Sequence, residues 1–376
     1  MHKLFDESKS LSEVVGTTCA LAEHVSSKVR ELDTVKGRLQ ETVDRVDGVI
    51  GLRSCVDGTQ EALKAHDYKK AAEFVHKYLT FDKALLESEG SNGDGATQDG
   101  ADKLLKDAHQ TVKAAINEKF DAAAEGGDAA AAEEYFILFP LVGDRATGLA
   151  KYGRFLASQI AGGADTRLKQ KIGGDETSYV SLVSKLVEAS ATVITKKQPM
   201  VDSHYGKGHM LLLIKVLQEQ CDASATTLLQ KFIEDRGLNA LDATDSRALE
   251  LVLAELASIM QRGELYLQFL RSHILAELAF IESVEDEDAR AKLPSPKTHG
   301  LVLANGDLAM QVQGLISQYI TLEESGLKNM VGKAIELNQK EVAGALTTTV
   351  VDDAFFVISK SARRSMSTLS ADCMCT

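Results

Sequence analysis

The chain has 376 residues, with 55 Asp and Glu against 42 Lys and Arg and a formal net charge of −13, which argues against broad attraction to nucleic-acid phosphates or anionic lipid, since both rest on clustered Lys and Arg. Aromatic residues make up 5%, Trp is absent and Pro occurs four times, so the composition favours helices and is ample for two or three domains with cores of their own. No run of 18 or more apolar residues exists, residues 1–7 lack the regions of a signal peptide, and five scattered Cys with no Asn-x-Ser/Thr acceptor fit the reducing cytosol.

The first element is the most regular. Leu11, Val14, Thr18, Leu21, Val25, Lys28, Leu32, Val35, Leu39, Thr42, Val46 and Val49 follow at alternating steps of three and four. A strip repeating every 3.5 residues stays on one side of a supercoiled helix, so the sequence predicts a coiled-coil seam over 1–52 that pairs with a helix of another protein. Its candidate partner-binding residues are Leu11, Val14, Leu21, Val25, Leu32, Val35, Leu39 and Val46. Val29, Val43 and Ile50 lie beside the strip and widen it, so docking onto the chain's own bundle competes with partner pairing.

A helical hairpin follows, Val56 to His66 and Tyr68 to Thr80, with Asp67 placed to cap its second arm. Glu87 to Gly100 is rich in Gly, Ser and Asp and predicts a mobile loop at 88–100. The helix resumes near Asp102 and is periodic through Leu104, Leu105, Ala108, Val112, Ala115, Ile116 and Phe120. A second hairpin turns at Asp128 and echoes the first. The apolar run Phe136 to Gly143 ends a helix at Pro140. Gly148 to Ile160 is amphipathic and is expected to break at Gly162-Gly163. Ser178 to Thr195 is expected to end by Pro199. Met210 to Phe232 and Arg247 to Ile281 read as long helices, and the acidic stretch with Pro294 and Pro296 reads as a linker. Leu301 to Leu346 and Val350 to Met366 are helical again. No strand pattern occurs. The fold class is therefore all-α: an amino-terminal coiled-coil helix followed by stacked helical bundles forming a rod, divided as 1–52, 53–170, 171–292 and 293–376, the last being the start of a third bundle.

Catalytic, cofactor and metal sites are not expected. Phosphate-loop, dinucleotide, zinc-protease and nucleophile-elbow motifs are missing. His204 and His209 flank Tyr205-Gly206-Lys207-Gly208 with only Asp202 nearby, which reads as a connecting turn rather than a metal or phosphate loop. Cys373-x-Cys375 reads as a tail, and Glu323-Glu324 and Asp352-Asp353 as surface or capping charge. Arg363-Arg364 reads as a basic pair near a helix end. Glu73 with His76 is a single Glu-x-x-His spacing, where a helical metal enzyme needs two.

A set of residues in one order resembles a known family. It comprises Cys19-x-Leu21-Ala22-Glu23-x-Val25-Ser26-Ser27-Lys28-Val29-Arg30-x-Leu32-Asp33 with Arg38 and Leu39, then Asp67-Tyr68, Ala71-Ala72, Phe136, Phe139-Pro140-Leu141 and Gly143. It continues with Gln198-Pro199, Tyr205-Gly206-x-Gly208, Leu213-Ile214-Lys215, Leu217-Gln218, Cys221-Asp222, Lys231-Phe232-Ile233, Glu264-Leu265-Tyr266-Leu267, Phe269-Leu270, Val351-Asp352-Asp353, Phe355 and Asp372-Cys373. These residues resemble the subunit 4 family of the conserved oligomeric Golgi complex, in its amino-terminal and middle portion. The resemblance implies a helical, non-enzymatic, peripheral subunit of a vesicle tether on the cytosolic face of the Golgi, acting in intra-Golgi retrograde transport. The partners it implies are the other subunits of the complex, Golgi SNAREs and a syntaxin-binding regulator. No cofactor, nucleic acid or transmembrane segment is implied. Family members carry further coiled coil before the position of Met1 and further bundles after that of Thr376. A helical adaptor or scaffold outside Golgi traffic explains composition and seam equally well but not the ordered matches.

Overall fold

In a computed structural model of the chain, the described residues are 2–88, 98–172, 178–238, 245–285, 290, 293, 306–341 and 350–375. Every regular element among them is a helix, as the composition requires. The loop expected at 88–100 falls mostly outside the described residues, as do Pro294 and Pro296. The chain divides into two compact units, residues 1–121 with 141–143, and residues 122–140 with 144–376.

The first unit begins with α1, His2–Lys64, followed by α2, Tyr68–Ser88, and α3, Gln98–Glu125, which belongs to this unit through Asp121. The turn between α1 and α2 forms because His66 takes a left-handed φ of 58° and Asp67 Oδ1 accepts the Lys70 N–H at 3.1 Å, satisfying one of the orphan donors of the new helix. The hairpin closes over Cys55, Val56 and Ala62 of α1 and Ala71, Ala72, Val75 and Tyr78 of α2, all buried. Gly58 makes room for it: a Cβ there would lie 2.7 Å from Phe74 Cζ. The inward stripe of α3 is Ala108, Val112, Ile116 and Phe120, and His109 Nε2 donates to Val142 O at 2.9 Å.

The second unit holds α4 (Ala129–Phe136), α5 (Arg145–Ile172), α6 (Tyr179–His204), α7 (Met210–Arg236), α8 (Ser246–Ser283), α9 (Asp307–Glu341), α10 (Val350–Ser367) and α11 (Ala371–Cys375). Asp128, Ser178 and Asp245 cap α4, α6 and α8 through their side-chain oxygens, and Gly237 closes α7 in the left-handed conformation. Helix α7 packs against α5, α6, α8 and α9. It therefore buries residues on several sides, among them Leu211, Leu213, Leu217, Leu228 and Phe232, whereas a surface helix buries one stripe.

Three expectations fail for physical reasons. Helix α1 passes unbroken through residue 52, so the seam and the first arm of the hairpin are one element. Helix α5 continues through Gly162-Gly163: two glycines cost about 1 kcal/mol each in a helix, and burial of Ile160, Ala164 and Leu168 on either side outweighs that. Pro199 does not end α6. Its fixed φ suits a helix, and Val201 and Tyr205 beyond it are almost wholly buried, which holds the last turn despite one lost backbone bond.

Candidate partner-binding site

The candidate site is the length of α1 before the hairpin. Leu11, Val14, Leu21, Val25, Leu32, Val35, Leu39 and Val46 are all exposed, Val25 at 53% and Leu32 at 66%. Large aliphatic side chains repeated over so long a helix form a continuous apolar strip of the kind that marks an interaction site. The polar residues in the strip are compatible with burial. Thr18 Oγ1 donates to Val14 O at 2.6 Å and Thr42 Oγ1 to Arg38 O at 2.7 Å, so each hydroxyl is satisfied within α1 and its methyl group can face a partner. Lys28 is held by Glu31 at 2.9 Å with both side chains largely exposed.

The turn at 205–209 is built for packing. Gly206 and Gly208 have φ of 91° and 89°. The Gly208 N–H, which in a phosphate loop would point at an anion, donates to Glu277 Oε2 at 2.8 Å, and Glu277 also accepts from Gln198 Nε2 at 3.2 Å. The turn is thus fastened to α8 by the protein's own carboxylate. His204 is exposed while His209 is buried with Nδ1 donating to Gly206 O at 3.2 Å, so the two do not converge. Glu73 and His76 are both exposed on α2. Among the described residues no group of three His, Cys, Asp or Glu could hold a metal ion.

Two expectations about charged and sulfur residues are corrected. Glu323 is no surface charge: it is buried and receives a two-pronged ion pair from Arg364, Nε to Oε2 at 3.0 Å and Nη2 to Oε1 at 2.5 Å, fastening α10 to α9. Cys373 is not in a loose tail, because α11 folds it inward and buries it, while Cys375 stays exposed. Asp352 and Asp353 are exposed in the first turn of α10, where the helix dipole favours them.

A buried polar chain also runs through the second unit. Tyr266 Oη donates to Gln218 Oε1 at 3.0 Å, Gln218 donates to Asp222, and Asp222 Oδ2 accepts the Asp307 N–H at 3.1 Å at the start of α9. Burial pushes the Asp222 carboxyl up to about 6 against these stabilising bonds. Burial also pushes the Cys221 thiol up to about 11 and holds the Tyr266 phenol well above its ordinary value. Both stay protonated at neutral pH, the state of a structural rather than a nucleophilic group. The sequence signal for this chain is the pair Gln218 and Asp222, one helical turn apart beside Ile214, Cys221 and Ala225 on the same face of the helix.

Comparison with known proteins bears on both units. The family model described as "Conserved oligomeric Golgi complex subunit 4, N-terminal" matches residues 1–92, and that described as "COG4 transport protein, middle alpha-helical bundle" matches residues 134–243 and 239–376. The chain belongs to the subunit 4 family of the conserved oligomeric Golgi complex. The mouse subunit 4 is 35% identical over 389 residues, covering 98% of this chain and 49% of the mouse protein. The human subunit 4 is 34% identical with the same coverage, and that of Arabidopsis thaliana is 28% identical over 377 residues, covering 94% of this chain and 48% of the plant protein. The chain spans about half the length of the curated relatives it matches. No solved structure matches. Within the family's middle bundle, Phe136, Phe139, Tyr205, Leu213, Phe232 and Tyr266 are core residues, whereas in the amino-terminal match Val25 and Leu32 are exposed on α1.

Proposed function

We propose that the chain is a non-enzymatic subunit of a Golgi vesicle-tethering complex, peripheral on the cytosolic face of the membrane, that acts in intra-Golgi retrograde transport. It works by contact: the strip on α1 pairs with sibling subunits, and the assembly engages Golgi SNAREs and a syntaxin-binding regulator. We assign pairing to residues 1–52 and the scaffold to the bundles at 53–170, 171–292 and 293–376. The observation that supports this reading is the exposed strip at 11–46 in a chain of this family. No described helix is long and apolar enough to cross a membrane, which accords with attachment through other proteins. The test is purification of the tagged full chain from cells, with identification of what accompanies it and imaging beside Golgi markers. Sibling subunits and Golgi staining are expected. A diffuse distribution without sibling subunits would overturn the proposal in favour of an adaptor outside Golgi traffic.

A further inference from the structure

The apolar surface of α1 is wider than a two-stranded coil uses. Leu11, Thr18, Val25, Leu32, Leu39 and Val46 form a centre row spaced by seven, and Val14, Leu21, Lys28, Val35, Thr42 and Val49 form one flank, three residues after each centre position. A second flank lies four residues after each centre position. Val15, Val29, Val43 and Ile50 occupy it and are 54, 50, 49 and 61% exposed. In a two-stranded coil that second flank sits at the solvent edge and is commonly charged. Here only Lys36 is charged in it. Two rows subtend about 50° of the helix and three about 100°, the width of a helix that packs on more than one neighbour. The strip is therefore two overlapping seams that share the centre row, running about 58 Å from Leu11 to Ile50 at the rise of an α-helix.

Charge narrows the occupant. Each seam carries one lysine on its flank, Lys28 in the first and Lys36 in the second, and neither seam contains an Asp or Glu. A second copy of α1 thus has no carboxylate in its seams to set against either lysine, whatever the register. Parallel copies in register would stack Lys28 on Lys28 and Lys36 on Lys36, a like-charge contact that selects against that pairing. Glu31 pairs with Lys28 from outside the seam at 2.9 Å, which lessens that repulsion at Lys28, so the like-charge contact between copies falls chiefly on Lys36.

We infer that α1 between Leu11 and Ile50 meets two helices at once, one along each flank, from partner proteins whose facing rows carry a carboxylate opposite Lys28 and another opposite Lys36. The inference rests on the partner-pairing reading above and deepens it: the contact is a bundle of at least three helices built from different sequences.

The test places a photoreactive benzoyl-phenylalanine in the tagged full chain, one position at a time, in cells. Leu21 and Val35 report the first flank, Val29 and Val43 the second, and Glu23 and Arg30 the outward side. After irradiation the crosslinked peptides are mapped by mass spectrometry. The two flanks are expected to capture two different helices of other proteins, near acidic residues, with yields at least tenfold above the outward positions. If Val29 and Val43 capture nothing, or the same helix as Leu21 and Val35, the bundle is wrong while partner pairing stands. Links from α1 to α1 overturn the assignment to different sequences. Links confined to this chain's own bundles overturn the bundle and the pairing reading together.

Discussion

Replacing Val25 and Leu32 together by Asp strikes the centre row of the strip twice, one heptad apart. In the structure 53% of Val25 and 66% of Leu32 remain exposed, so over half of each side chain is left for a partner to cover. Full burial of Val or Leu is worth about 1.5–3 kcal/mol, and the uncovered share gives roughly 1–2 kcal/mol each, about 3 kcal/mol for the pair. Two carboxylates facing apolar side chains without hydrogen-bond partners add a desolvation cost of at least similar size. The sum weakens association by about a thousandfold or more. The cost inside the chain is small, because neither residue is buried and Asp lowers helix propensity by at most about 0.7 kcal/mol per site. The double variant is expected to keep its helical circular dichroism and its main melting transition while sibling subunits no longer accompany it through purification. Collapse of the transition would mean that the strip is docked on this protein's own bundle. Undiminished recovery of sibling subunits would mean that it is not the contact.

Arg364→Met leaves Glu323 buried without its partner and is expected to destabilise the α9–α10 contact by about 3–5 kcal/mol, read by urea unfolding; adding Glu323→Leu should restore much of that, and no restoration would show that the charge is not the cause. Gly148→Ala would place a Cβ 2.5 Å from Tyr205 Oη and 2.6 Å from Phe139 Cβ, an overpacking cost of about 1–3 kcal/mol or more. Gly162→Ala, with nothing within 4 Å, should instead raise stability by about 0.5–1 kcal/mol, and a loss there would contradict an unbroken α5. Because the Asp222 carboxyl is raised to about 6, from an unfolded value of about 3.9, the folded chain binds the extra proton. Its contribution is complete below about pH 4 and is lost as pH rises through 6. The stability of the native chain relative to Asp222→Asn should therefore fall between pH 4 and 6.5, and a flat difference in melting temperature would refute the assignment.

Much of the fold is local and legible. The caps at Asp67 and Asp128 follow from one side-chain oxygen before a run of apolar periodicity, and the inward stripe of α3 follows from spacing alone. Helix ends were less legible, because Gly162-Gly163 and Pro199 carry strong local signals that tertiary burial overrides. Glu323 and Arg364 lie 41 residues apart, beyond any local pattern, so a buried ion pair read as surface charge. The same limit hid the tie between Glu277 and Gly208. The candidate strip was legible as a pattern because a heptad repeat lies within one helix and needs nothing from the rest of the fold, and its residues are exposed in the structure; the partner role assigned to it is the proposal made above.

The central claim is that the apolar strip of α1, exposed at Leu11, Val14, Leu21, Val25, Leu32, Val35, Leu39 and Val46 in the isolated chain, is covered in the assembly. Amide hydrogen exchange measures this directly, in the isolated chain and in the complex purified with its sibling subunits. A helix whose side chains pack on nothing is marginal in water, so the amides of 11–50 should exchange far faster than those of the hairpin at 55–80 in the isolated chain. In the complex they should slow by about a hundredfold or more. Exchange at 11–50 that is already as slow as at 55–80 in the isolated chain, or that does not change on assembly, would contradict the account.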